Sequence, residues 1–171
     1  VCTVVLASSI WINPVAKGVP EITKSETMQQ IRDLVKEDPK AIWLVVDMAY
    51  PATNIPAMAG ADCLNTTQTY PQKTRWEMLD QEGECEDIYN RYCHIRASLG
   101  SKTMLELVST DYIEVTLSPE DLKKLNIRYI VSTNDFDEKI AAGTTNIFTD
   151  SGIEFQKHYE GAQLSIYRCV Y

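Results

Sequence analysis

The feature that most constrains the fold is the apolar run AIWLVV at residues 41–46, which follows a helical pattern. Its apolar residues show no alternation, as is typical of a strand buried on both faces, and such strands lie inside a sheet covered by helices. Upstream, Thr23 with Glu26 three residues later predicts a helix start, and Asp38-Pro39 predicts its end. A helix followed by a buried strand predicts one half of an α/β unit.

Similar patterns recur along the chain. The stretch SPEDLKKLN has a serine N-cap with proline at the first helical position, and IRYIVST predicts a second buried strand. Alternating apolar residues in TMLELVSTDYIEVTL and IEFQKHYEGAQLSIYRCVY predict two hairpins, and DFDEKIAAG predicts a short helix. The predicted fold is therefore α/β, with a mixed, mostly parallel central sheet flanked by helices and antiparallel hairpins at the edge and C-terminus. We expect one domain over residues 1–171.

Charge and cysteine content exclude several classes of function. Asp and Glu outnumber Lys and Arg by 24 to 16, for a net charge of −8, whereas nucleic-acid binding requires a basic surface. The five cysteines form no C-x-x-C pair and there are only two histidines, so no metal site is predicted, and buried thiols are the favoured interpretation. No phosphate-binding or dinucleotide-binding glycine motif occurs, so no cofactor is predicted.

The adjacent pair Cys93-His94 raises the hypothesis of a cysteine nucleophile with a histidine base. Neighbouring residues on a strand point to opposite faces, so these two side chains are poor partners for each other. Only His158, in a different element, could pair with Cys93. The favoured interpretation is a helix-to-strand junction with Cys93 inward and His94 outward.

Acidic side chains suggest two further sites. The cluster at residues 80–87 could bind calcium but does not match the EF-hand pattern, so a solvated turn is favoured. Asp47 directly follows the buried strand, where open α/β sheets bind ligands, and it fits a loop cap equally well. Asn65-Thr66-Thr67 matches the N-glycosylation triplet, a pattern that is common by chance.

Four stretches carry a resemblance to a known family: WINPVAKGVPEI (11–22), AIWLVVD (41–47), DIYNRYCHI (87–95) and LKKLNIRYIVST (122–133). Taken together, they resemble the C-terminal extracytoplasmic domain of polytopic bacterial membrane glycosyltransferases of the GT-C type. The resemblance implies that residues 1–20 connect the domain to an upstream membrane helix. It also implies a location on the outer face of the plasma membrane and a role in cell-surface polysaccharide assembly.

On this basis we expect a non-catalytic accessory domain with no catalytic residue of its own. Its expected partners are the upstream transmembrane region of the same polypeptide and a glycan or lipid-linked sugar, and not nucleic acid. Polar and aromatic groups at loops and element ends are the predicted substrate-binding residues: Asp47, Asn65, Tyr89, Asn90, Arg91 and His94. The alternatives are a free-standing glycan hydrolase using paired carboxylates and a protein-interaction module.

Overall fold

The structure, a computed structural model, describes residues 24–136 and 151–171. These residues contain eight strands in one sheet. The strands are β1 (Ile42–Val46), β2 (Asp62–Cys63), β3 (His94–Leu99), β4 (Met104–Ser109), β5 (Tyr112–Leu117), β6 (Ile127–Ser132), β7 (Glu154–Glu160) and β8 (Ser165–Val170).

The strand order is β4-β5-β3-β1-β6-β8-β7, with β2 also paired to β1. The pairs β1–β2, β1–β3, β1–β6 and β3–β5 are parallel. The pairs β4–β5, β6–β8 and β7–β8 are antiparallel and lie towards the two sides of the sheet. The predicted mixed sheet with a mostly parallel centre and peripheral hairpins is confirmed.

Five α-helices occur in the described residues: α1 (Glu26–Glu37), α2 (Ile55–Met58), α3 (Lys73–Leu79), α4 (Glu86–Tyr89) and α5 (Pro119–Lys124). The predicted N-cap of α1 was wrong, because the hydroxyl oxygen of Ser25, not of Thr23, accepts the hydrogen bond from Met28 N at 3.3 Å. The predicted Ser118 cap of α5 is confirmed. The helix predicted in DFDEKIAAG falls largely on residues outside the described ranges.

Strand β1 is buried on both faces, as its sequence predicts. Leu44 and Val46 join a core with residues of α3, α4 and α5 on one face of the sheet. Trp43 and Val45 join a second core with α1 and α2 on the other face. Among the described helices, none is both long and apolar enough to cross a bilayer.

Among the described residues, the second face is covered over only part of its width. Its core includes residues of β1, β6 and β8 but none of β3, β4 or β5. The β3 and β5 side chains on this face are half-buried or exposed in the part of the chain that the structure describes. We call these six side chains the open face: His94, Arg96, Ser98, Tyr112, Glu114 and Thr116.

Candidate functional site

The most distinctive feature of the open face is a group of aromatic rings around His94. The Tyr50 ring lies 4.1 Å from the His94 ring between centroids, and the Tyr92 ring lies 5.6 Å away in an edge-on arrangement. Tyr50 and Tyr92 are 52% and 50% exposed. Tyr112 is the register partner of His94 on β5, so both side chains lie on the same face. These four residues form the aromatic cluster.

The His94 ring is held by hydrogen bonds on one side only. Its Nδ1 lies 3.0 Å from the hydroxyl oxygen of Thr67. The side-chain amide of Asn54 fixes Thr67 in turn, donating to its hydroxyl at 3.0 Å and accepting from its backbone N–H at 2.9 Å. Within the described residues, the other ring nitrogen, Nε2, has no hydrogen-bond partner.

A local split in the sheet brings Thr67 beside His94. Strands β1 and β3 are in register only at Val46 and Ala97. Upstream of that point the segment 61–68 passes between them, first as β2 beside β1 and then through a bridge between Gln68 and Cys93. The polar residues of this segment therefore reach the start of β3.

Asn65 lies inside the split and is 1% exposed. Its side-chain oxygen accepts from Val45 N at 2.8 Å, and its side-chain nitrogen donates to Val45 O at 2.6 Å. The amide thus replaces the missing backbone partner of β1. This burial also leaves no room for an attached glycan at Asn65 in the folded domain.

Gln68 is a second buried amide, and no local sequence pattern indicated its role. Its nitrogen donates to Tyr89 O at 2.9 Å and Arg91 O at 3.2 Å. Its oxygen accepts from Trp76 Nε1 at 2.7 Å and Gln72 N at 3.3 Å. One side chain therefore joins α3, the end of α4 and the segment leading into β3.

The other predicted binding residues lie apart from the aromatic cluster. Tyr89 is 2% exposed, and its ring packs on Trp76 at 6.1 Å between centroids. The Asn90 amide donates to Glu86 at 3.2 Å, and Arg91 donates to the backbone oxygens of Asp87 and Thr110. These side chains support the end of α4.

Asp47 lies at the carboxyl end of β1, as predicted. Its backbone has φ 59°, a left-handed conformation that aspartate tolerates. Its carboxylate accepts from the Asn134 amide, beyond β6, at 2.7 Å. Because Val46 pairs with Ala97, Asp47 is level with Ser98 and about 13 Å along the sheet from His94. Of the six predicted binding residues, only His94 belongs to the aromatic cluster.

The sequence contained a partial signal for this cluster. Tyr92 and His94 are two residues apart, a spacing that puts two side chains on the same face where the chain is extended. The contact between Tyr50 and His94 joins segments far apart in the chain and left no local pattern.

The structure does not bring His158 near Cys93. His158 is exposed on β7, four strand positions from β3, which corresponds to about 19 Å. Cys93 is 0% exposed, whereas His94 is partly exposed, so the predicted inward and outward orientations are confirmed. The four described cysteines are free thiols, and Cys2 lies outside the described residues.

We expect the three buried thiols to lower the free energy of unfolding at alkaline pH. Burial raises the pKa of Cys93 to about 11, and of Cys63 and Cys169 to about 12, from an ordinary value of 9.0. Above that ordinary value the unfolded chain releases protons that the folded chain retains. The free energy of unfolding should therefore fall by up to about 1.4 kcal/mol per pH unit for each thiol.

Urea denaturation at about pH 7, 9 and 10.5 measures this effect. A Cys169→Ala variant should show a shallower alkaline decline than the wild type. A stability that stays constant through this range would contradict the prediction.

The acidic turn is held by internal contacts. The Asp80 carboxylate accepts from Glu84 N at 3.0 Å and Cys85 N at 2.8 Å. Glu86 pairs with Lys73 at 2.8 Å, and this hydrogen bond lowers the pKa of Glu86. Within residues 24–136 and 151–171, no group of three or more His, Cys, Asp or Glu side chains is arranged to hold a metal ion.

Comparison with known families places most of the chain in one of them. Residues 21–171 match the family described as Domain of unknown function (DUF7654). The chain belongs to the DUF7654 family. Comparison of this DUF7654 domain with curated proteins and with solved structures found no match in either.

Proposed function

We propose that this DUF7654 domain is a non-catalytic, glycan-binding accessory domain of a bacterial membrane glycosyltransferase that assembles cell-surface polysaccharide. The observation that carries the proposal is the aromatic cluster at one end of the open face, in which the Tyr50 and Tyr92 rings contact His94 and Tyr112 is its register partner. A binding role for these rings is favoured over a packing role because two of them are about half exposed.

The chemistry of the open face suits a sugar. A sugar ring has an apolar C–H surface that stacks on a tyrosine ring and a polar rim of hydroxyls that needs donors and acceptors. Next to the cluster, Arg96 pairs with Glu114 at 3.2 Å, and Ser98 bonds to Thr116 at 3.1 Å. Both partners of the ion pair are more than 40% exposed, so they remain accessible to ligand hydroxyls.

The size and charge of the open face narrow the ligand class. The face extends about 13 Å along β3 and β5, from His94 to Ser98, which suits an oligosaccharide better than a single sugar. Its one cation, Arg96, is already paired with a carboxylate. We therefore expect an uncharged glycan to bind in preference to an acidic one.

The membrane context of the proposal is supported by the four stretches that resemble GT-C outer domains. In this arrangement residues 1–20 connect the domain to the transmembrane region of the same polypeptide. The domain lies on the extracytoplasmic face and holds the acceptor or the growing glycan there.

The geometry of the carboxylates favours binding over hydrolysis. A glycosidase needs two acids opposed across the scissile bond. On this side of the sheet Glu106 and Glu114 are cross-strand neighbours, side by side on one surface, and Glu114 is bound by Arg96.

Replacing either exposed ring of the cluster should weaken glycan binding. We expect Tyr50→Ala and Tyr92→Ala each to lower the affinity for a neutral oligosaccharide by about tenfold, because each removes a stacking surface. Isothermal titration with neutral gluco-, manno- and galacto-oligosaccharides measures the effect. Tyr70→Ala is the matched control, since Tyr70 is 85% exposed and has no ring contact within the described residues.

Three outcomes would contradict the proposal. They are no binding by the wild-type domain, an equal loss in Tyr70→Ala, and release of free sugar during the incubation. The last would support the hydrolase alternative.

A further inference from the structure

Strand β4 ends the sheet on the side of the open face. Within the described residues it pairs only with β5, so its outer backbone N–H and C=O groups lack a strand partner. An unpaired edge of this kind can accept a further strand unless its side chains prevent it.

The two edges of the sheet differ in composition. On β7 the exposed side chains are polar or charged: Glu154, Gln156, His158 and Glu160. Such residues discourage pairing with another chain. On β4 the exposed side chains include Met104, Leu107 and Val108, at 55%, 40% and 53% exposure. In the described part of the sheet, only the β4 edge exposes large apolar side chains to an added strand.

Three charged side chains lie in a row across the sheet, and the last of them, on β4, has no counter-charge among the described residues. Arg96, Glu114 and Glu106 are register partners on β3, β5 and β4. Arg96 binds Glu114, while Glu106 faces Glu114 with no cation of its own among the described residues. Like charges directly opposite each other are destabilising. A lysine or arginine on a strand added outside β4 would neutralise Glu106.

The core side of the same edge contains a groove. A cavity of about 450 Å³ lies between β4 and the helical segment behind it. Its lining is apolar at Leu79, Cys85, Met104 and Leu105 and polar or charged at Asp80, Lys102, Thr103 and Glu106. Because side chains alternate along a strand, an added strand with a basic residue facing Glu106 would direct its neighbouring residues toward this groove.

We propose that β4 is the docking edge for an extended segment of a partner protein, in which a basic residue faces Glu106 and the flanking apolar residues occupy the groove. The charges favour a different protein over a second copy of this chain. Residues 104–109 of β4, MLELVS, contain no cation, so a second β4 paired within these residues brings no partner for Glu106. The net charge of −8 opposes self-association further.

Two synthetic peptides test this edge. One is acetyl-Ser-Thr-Leu-Lys-Leu-Thr-Ser-amide, and the other has Glu in place of Lys. We expect the lysine peptide to shift the backbone amide signals of β4 in a ¹⁵N NMR titration and to bind about fivefold more tightly than the glutamate peptide. Glu106→Lys should invert this preference, whereas Glu154→Lys on β7 should leave it unchanged.

Other occupants of the edge would overturn the proposal. Dimerisation of the wild-type protein in sedimentation equilibrium, abolished by Glu106→Lys, would assign β4 to a second copy. Binding only by a variant lacking residues 1–23 would assign it to the chain's own N-terminal segment. Absence of β4 shifts at millimolar peptide, or a preference that Glu106→Lys does not invert, would remove the edge as a docking site.

Discussion

Replacing Gln68 with leucine should lower the free energy of unfolding by about 3–5 kcal/mol. The substitution keeps a similar volume but leaves the Trp76 indole N–H without its acceptor at 2.7 Å. It also removes the donor to the backbone oxygens of Tyr89 and Arg91. An unpaired buried polar group costs about 1–3 kcal/mol, and domains of this size are stable by only about 5–15 kcal/mol.

Urea denaturation followed by tryptophan fluorescence measures the change directly. Gln72→Ala is the matched control, because Gln72 is exposed four residues away and its side-chain bond to Arg75 is also exposed. We expect the control to change stability by less than about 0.5 kcal/mol. Equal effects of the two substitutions would show that Gln68 does not join the helices to β3.

Replacing Asn65 with leucine should cost about 2–4 kcal/mol. Its amide supplies both the acceptor and the donor for Val45 in the buried strand β1. Leucine can do neither, so both backbone groups of Val45 lose their partner beside a position that is 1% exposed. The loss should appear as a lower urea midpoint with an unchanged m-value.

Asn90→Ala provides the comparison for Asn65. Both asparagines are predicted binding residues, but Asn90 is exposed and its side chain bonds only to Glu86 within the described residues. We expect Asn90→Ala to change stability by less than about 0.5 kcal/mol. A fully stable Asn65→Leu variant with lowered glycan affinity would instead place Asn65 in the binding site.

The fold was largely predictable because its signals are local. The unalternating run at Ala41–Val46 predicted a strand with both faces buried, and both faces are in fact packed against helices. The serine, proline and acidic residues at the start of α5 predicted its first turn from adjacent positions. The C-terminal hairpin followed from alternation about a glycine turn.

The split in the sheet was not predictable, because it depends on contacts between distant segments. Nothing in the sequence of β1 indicates that a side-chain amide from Asn65 replaces its neighbouring strand. The candidate site likewise depends on contacts between segments that are far apart in the sequence. The outward orientation of His94 followed from alternation, while the approach of Tyr50 and Thr67 depends on how the loops pack.

The proposed glycan site and the proposed docking edge are neighbours on one half of the molecule, because Glu114 of the open face is the register partner of Glu106 on β4. The aromatic cluster lies at the start of β3, and the partner strand would lie outside β4, with β5 between these strands. A glycan and a partner segment could therefore bind together. This arrangement suits a domain that holds a growing polymer within a membrane assembly.

The most direct test of the glycan-binding proposal is a ¹⁵N NMR titration of the domain with a neutral oligosaccharide. We predict that the largest amide shifts occur at His94, Arg96, Tyr112 and Glu114, and that they vanish in the Tyr50→Ala, Tyr92→Ala double variant. Shifts centred on α5 or on β7 and β8, or no shifts in the wild type at saturating sugar, would contradict a glycan site on the open face.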